Sequence, residues 1–181
     1  TYCIEYLSQF FKITIFYYNP NIAPAEEYAH RVAEIKRFVS TFKTKYPVEF
    51  IEGEYDPKKF YEIARGLEDE KEGGKRCRKC FELRLGETAR LAKEMGFDYF
   101  TTTLTISPQK DGQVLNVVAK EQGAIYGVKA LPSDFKRKGG NKRSIELSAE
   151  YNLYRQNYCG CAYSKREAEE REAKKSEGAT P

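Results

Sequence analysis

The 181-residue chain is most simply one domain, long enough to bury a sizeable core. Its apolar runs all fall well short of a membrane-spanning helix, which excludes an integral membrane segment of that kind. The net charge of +4 is only mildly basic, and the 14% aromatic share comes entirely from Tyr and Phe, which can cap a core at a wet edge or stack on bases.

The chain opens on the amphipathic stretch YCIEYLSQFF, where Cys3 reads as a small buried hydrophobe. KITIFYY (12–18) is predicted to be a strand, ended by the turn-forming NPNIAP. A helix is predicted from position 25 to about 43. Tyr28, Val32, Ile35, Val39 and Phe42 recur there at helical spacing, and Glu26 and Glu27 sit in the first turn where the helix dipole favours anions. VEFIEG is a second strand, and Pro57 opens a short helix. The charged, Gly-containing EDEKEGGKR reads as a flexible loop leading into a CxxC, after which CFELRLGETARLAKEM is an amphipathic helix stopped by Gly96. FDYFTTTLT is the most strand-like segment of the chain and runs into the loop SPQKDG. A helix from Gln113 to about Tyr126, a short strand VKALP and the basic loop FKRKGGNKR (135–143) follow. SIELSAEYNLYRQ is predicted to be helical and to deliver Cys159 and Cys161 at its C-terminal end.

Strands alternating with helix-length segments predict an α/β fold: a parallel β-sheet with helices on both faces, Rossmann-like and doubly wound. Ligands bind such sheets beyond the carboxyl ends of the strands, where NPNIAP, SPQKDG and FKRKGG begin. A single catalytic domain over 1–164 and a charged tail over 165–181, helical or disordered, are the expected organisation. A doubly wound domain normally has a strand before its first helix, so a strand upstream of Thr1 is expected as well.

Four of the five cysteines stand in two tight pairs, Cys77 and Cys80 in RCRKC and Cys159 and Cys161 in YCGC. A CxxC sets two sulfurs about one helical turn apart. A CxC requires a turn, and Gly160, lacking a Cβ, suits one that crowds a ligand. Together the pairs supply four thiolates, as tetrahedral zinc or an iron–sulfur cluster requires. This predicts a cysteine-coordinated metal site at the carboxyl edge of the sheet. A redox dithiol would leave Cys159 and Cys161 unexplained, and a disulfide framework would leave an odd thiol. The run 135–143 carries five cations and no anion, which suits a solvated loop or a contact with a phosphate backbone.

From about position 16 to 164 the chain resembles the cobalamin-independent epoxyqueuosine reductases, iron–sulfur enzymes of tRNA queuosine synthesis. The resemblance rests on YNPNI, EYDP, RCRKCFELRL, GFDYFTTTLTISPQKD, DFKRKGG and ELSAEYNLYRQNYCGCAYS, in that order. The family also carries a Cys-Cys-Ala-Pro-(Cys or Asp) motif, expected just upstream of Thr1, and Cys3 does not match it. The resemblance implies reduction of the epoxide of epoxyqueuosine in the tRNA wobble position to give queuosine. It implies an iron–sulfur cluster of [4Fe-4S] type, with or without an adjacent iron ion, held by Cys77, Cys80, Cys159 and Cys161. Lys110 and Asp111 would face the substrate as catalytic residues. Thr102, Thr103, Thr105 and Ser107, with Thr101 beside them, and Tyr154, Arg155 and Tyr158 would bind it, the last three by stacking around a flipped-out nucleotide. Arg76, Arg78, Lys79, Arg84, Lys136, Arg137, Lys138, Lys142 and Arg143 are the phosphate candidates. The implied partners are tRNA and an external electron donor, with no membrane, in the cytoplasm. Two rivals remain. A nucleotide-activating tRNA-modifying enzyme would need an SGGxDS-like loop, which this sequence lacks. A zinc-stabilised RNA-binding module would need no redox chemistry.

Overall fold

Two β-α-β units organise the protein, described by a computed structural model over residues 1–177. In the first, strand β1 (Thr14–Tyr17) pairs in parallel with β2 (Glu49–Glu52), Thr14 opposite Glu49 and Tyr17 opposite Glu52. The crossover helix α2 (Ala25–Thr41) turns Tyr28 and Val32 of its predicted stripe inward, while Phe38, outside that stripe, is buried in place of the half-buried Ile35, Val39 and Phe42. Tyr28 stacks on Tyr55 at 4.0 Å between ring centroids and meets Tyr17 edge-on, tying helix to sheet. Helix α1 (Tyr2–Leu7) precedes this unit and buries Cys3 and Ile4. Helix α3 (Pro57–Ala64) follows it, capped by the Asp56 carboxylate, which accepts the Lys58 N–H at 3.1 Å.

Helix α4 (Lys75–Glu94) leads to the second unit and ends two residues before Gly96, whose φ of +73° carries no Cβ penalty. There β3 (Tyr99–Phe100) pairs in parallel with β4 (Lys129–Ala130) across helix α5 (Gly112–Tyr126). Phe81, Leu85, Ala89 and Ala92 of α4 pack on Leu115, Val118 and Ala119 of α5 and on Phe100, forming the main core. Full burial of Leu115 contributes about 2 kcal/mol of that core's apolar stabilisation. Helices α6 (Gly140–Glu150) and α7 (Ala162–Glu177) complete the order. No helix among the described residues is long and apolar enough to cross a membrane.

The structure departs from expectation in several places. The single doubly wound sheet appears among the described residues as two separate parallel pairs. FDYFTTTLT contributes only two strand residues and then a 3-10 turn, Thr103–Ile106. Its hydroxyls bond locally instead of leaving the backbone to a ladder: Thr102 accepts the Leu104 N–H at 3.2 Å, and Thr101 donates to the Leu131 carbonyl at 2.9 Å. The helix predicted to carry Cys159 and Cys161 stops at Glu150. Asn152 adopts a left-handed φ of +48°, and the Asn152 and Leu153 N–H groups close back on the Ala149 and Ser148 carbonyls, a Schellman stop. The Tyr154 N–H then goes to the Glu34 carboxylate of α2 at 2.8 Å, drawing the chain away as coil. EDEKEGGKR is not a free loop, because the Arg76 side chain gathers its carbonyls. The expected charged tail begins inside α7, anchored by buried Ser164 and Ala168, and its last four residues lie outside the described residues.

Candidate cysteine site

Cys77 and Cys80 lie in the first two turns of α4, on one face because they are three positions apart. The Gly73 N–H donates to the Cys77 sulfur at 3.2 Å, and the helix N-terminus adds its positive end. Cys80 and Cys161 are buried together against Phe60 and Ala64 of α3. The Cys161 sulfur caps α7 by accepting the Ser164 N–H at 3.3 Å, while the Ser164 hydroxyl donates to the Cys161 carbonyl at 3.0 Å. Both cysteine pairs therefore lie near helix beginnings, whose positive end works against the burial that disfavours a thiolate.

Between Cys159 and Cys161 the chain takes a φ of +121° at Gly160, and the Gly160 carbonyl accepts the Ala23 N–H at 2.9 Å. Arg31 of α2 clamps the same turn: its Nη1 donates to the Cys159 carbonyl at 3.2 Å, its Nε to Glu27 at 2.7 Å, and its guanidinium lies 5.3 Å from the Tyr158 ring centroid. A Cβ on Gly160 would come within 2.9 Å of both Arg31 and Ile22. Gly160→Ala is therefore expected to cost about 1–3 kcal/mol in backbone strain alone. Urea unfolding would read that loss, and slower reaction of a thiol reagent with Cys159 and Cys161 than in the parent would contradict a displaced turn.

All four thiols line one cavity, with Asn21, Glu72 and Ser164 on its wall and about 10 Å³ of interior open to a water-sized sphere. The segments after β1 and β2 reach it through Asn21 and Phe60, and those after β3 and β4 border it: Lys110 bonds Glu72 of its wall, and Lys136 donates to the Lys110 carbonyl at 2.7 Å. Among the described residues no three His, Cys, Asp or Glu side chains stand close enough to grip an ion as they lie. The donor chemistry still fits a metal group: four soft sulfurs face one space, and the buried Asn21 Oδ1 there has no hydrogen-bond partner.

The charge around the thiols is organised. Lys110 is only 7% exposed, and its Nζ meets the Glu72 carboxylate at 2.5 Å. Burial alone would draw the Lys110 pKa down, but the electrostatic pull of the Cys159 sulfur and the bond to Glu72 outweigh it and hold the ammonium above the usual lysine value. Burial pushes the Cys80 thiol up to about 12 against the pull of Arg84, and it pushes Cys77 up against the Gly73 N–H and Lys110.

The remaining candidates divide by position. Arg76 is corrected from surface cation to core residue: it is 1% exposed and donates to the Leu67 and Glu68 carbonyls at 3.1 and 3.0 Å, to the Glu70 carbonyl, and to Glu167 at 3.3 Å. Thr105 is fully buried and bonded to Ser133 at 3.1 Å, out of reach of a substrate. Asp111 is an exposed helix cap whose Oδ1 accepts the Gln113 and Val114 N–H groups, and Ser107 likewise accepts the Gln109 N–H. Thr103 is exposed and Thr102 caps the 3-10 turn. Tyr154 and Arg155 are exposed on the coil along α2, the Tyr154 hydroxyl donating to Glu27 at 3.2 Å, while Tyr158 is partly covered by Arg31. Several cations are already paired: Arg78 with Glu82 and Glu121, Lys79 with Glu82, Arg137 with Asp134, and Arg143 with Glu5. Lys136 is half-buried, Arg84 donates to Asn19 at 2.5 Å, and Lys138 and Lys142 are exposed. Glu72 and Glu167 enter the site without any local signal in the sequence. Ser164 closes the conspicuous YCGCAYS, and its spacing of three from Cys161 is that of a cap partner.

A family model described as "Epoxyqueuosine reductase QueH" matches residues 1–167. The chain is similar to proteins of that name from Streptococcus pyogenes serotype M1 (49% identity, covering 91% of this chain and 65% of the relative) and Staphylococcus epidermidis (46%, covering 91% and 71%). It is also similar to one from Thermotoga maritima (36%, covering 87% and 82%). The chain thus spans about two thirds of the length of the first of these relatives.

Proposed function

The chain belongs to the epoxyqueuosine reductase QueH family, and on that premise we propose that it reduces the epoxide of epoxyqueuosine in the wobble position of tRNA, giving queuosine. The observation that carries this reading is the convergence of four thiols from two helix beginnings on one cavity. Cys77, Cys80, Cys159 and Cys161 would hold a [4Fe-4S] cluster, with or without an adjacent iron ion. When bound, such a cluster supplies electrons one at a time from an external donor.

The reaction takes two electrons and two protons per epoxide and releases the oxygen as water. Lys110 holds a proton at Nζ beside the thiols, with Glu72 fixing its direction. Asp111 caps α5 and so fixes the backbone that carries Lys110. The exposed Tyr154 ring offers a stacking surface for an extruded base, and Thr102, Thr103 and Ser107 offer hydroxyls near the same loop. Lys138, Lys142 and Arg155, exposed as they are, would contact tRNA phosphates, so binding should weaken as salt rises. The two parallel pairs read as halves of one doubly wound sheet with the site at its carboxyl edge, since the segments after β1 and β2 line the cavity and those after β3 and β4 border it through Lys110 and Lys136. A cytoplasmic location belongs to the same proposal, in keeping with five free cysteines.

The test is metal analysis of protein purified without oxygen, followed by a turnover assay on tRNA carrying epoxyqueuosine. Several irons with matching sulfide, visible absorbance that bleaches with dithionite, and formation of queuosine are expected. One zinc per chain without sulfide, and no conversion of the tRNA, would overturn the reading in favour of a structural metal.

A further inference from the structure

The buried ion pair between Lys110 and Glu72 is an unusual thing to place in this wall. Their side chains are 7% and 13% exposed. Burying two charges costs several kcal/mol of desolvation that their attraction only roughly repays, so an apolar pair of like volume would serve stability as well. Both partners are also held from behind. The Glu72 N–H donates to Glu167 of α7 at 3.3 Å, and Arg76 pins the preceding backbone through the Leu67 and Glu68 carbonyls. Lys110 donates its N–H to the Ser107 carbonyl, its own carbonyl accepts Lys136 Nζ, and the next residue caps α5. Glu72 and the four cysteines line one cavity, and the ammonium that Glu72 grips sits behind that wall, on the side of Glu72.

The geometry points to Glu72 as a positioning residue that holds the Lys110 ammonium against the thiolates, where its fixed charge raises the reduction potential of the redox group they carry. This deepens the cluster reading and rests on it. Adding an electron to a site of four thiolates is opposed by their negative charge. A positive charge held in a low-dielectric wall offsets it, and favours the reduced state over the oxidised one. The charge acts in full only if the flexible lysine stem is kept in place, which is the part Glu72 plays.

The experiment is a dithionite titration of the iron-loaded protein, followed by visible absorbance, with iron and sulfide counted in every variant. Lys110→Met, which keeps the stem and removes the charge, is expected to lower the reduction equilibrium about tenfold, or about 59 mV for one electron. Lys110→Gln provides the same comparison with a polar tip, and Lys110→Arg should restore most of the shift. Glu72→Ala should lower the potential in the parent protein, because the ammonium is released, and should no longer lower it in the Lys110→Met background. A merely structural role moves iron content or stability and leaves the potential of loaded protein where it was. A loaded Lys110→Met protein with the parent potential overturns the inference alone. So does a Glu72→Ala protein whose potential rises, since Glu72 would then act as a bare negative charge. A parent protein that takes up no iron and sulfide overturns the cluster reading and this inference with it.

Discussion

Replacing Arg76 by alanine is expected to destabilise the fold by about 3–5 kcal/mol, the range for stripping one partner from a buried charged network. The guanidinium is almost wholly enclosed, lies 4.4 Å from the Tyr163 ring centroid, and gathers the carbonyls of Leu67, Glu68 and Glu70 into one turn. Removing it strips the Glu68 and Glu70 carbonyls of the guanidinium, leaves the Glu167 carboxylate with only the Glu72 N–H, and opens the wall of the cysteine cavity. Arg76→Lys should recover less than half of the loss, because one ammonium cannot fan out to three carbonyls and a carboxylate. Urea unfolding checks both variants. A loss below about 1 kcal/mol, the scale of an exposed ion pair, combined with weakened tRNA binding, would return Arg76 to the role its basic neighbourhood implies.

Cys80→Ala is expected to abolish iron and sulfide binding and to cost activity at least about a hundredfold, since even groups one shell outside a metal cost roughly 10–100-fold when removed. The same substitution should move the stability of the metal-free protein by no more than about 1 kcal/mol, because only one sulfur leaves a pocket walled by Phe60 and Ala64. Cys161→Ala should match it in iron content and lose slightly more stability, since the Cys161 sulfur also caps α7. Cys3→Ala is the control: it is equally buried, in α1, and iron content should stay at the parent level. Iron retained in Cys80→Ala, or lost in Cys3→Ala, would mean that the CxxC and CxC pairs are not the ligand set.

Which parts of this site could be read from the residues alone follows from how far each signal reaches. The CxxC works through neighbours three apart, and the Gly160 turn through a residue between its own two cysteines, so both are local and legible. The apolar stripe of α2 is local in the same sense, and it turned Tyr28 and Val32 inward, although Phe38 beside it took the buried place expected of Val39 and Phe42. The strand at FDYFTTTLT failed for a reason that was present but outweighed: β-branched residues favour strands, and threonine hydroxyls also bond to nearby backbone. Thr101 and Thr102 did so, and the strand stopped at Phe100. The early end of α6 was likewise within reach, because asparagine tolerates the left-handed conformation that a Schellman stop requires.

By itself, the sequence determined the residue chemistry and the order of elements: four thiols in two turns, two β-α-β units and the motifs that place the chain in its family. Tertiary structure decided what each charge is for. Arg76 reads as a surface cation until the chain brings Glu167, 91 residues away, and three carbonyls to its guanidinium. Glu72 reads as one acid among several until Lys110, 38 residues away, meets it inside the cavity wall. A charged side chain carries no mark of its partner along the chain. Whether it is solvated, buried or set against a sulfur depends on desolvation and on groups that only folding brings within 3 Å.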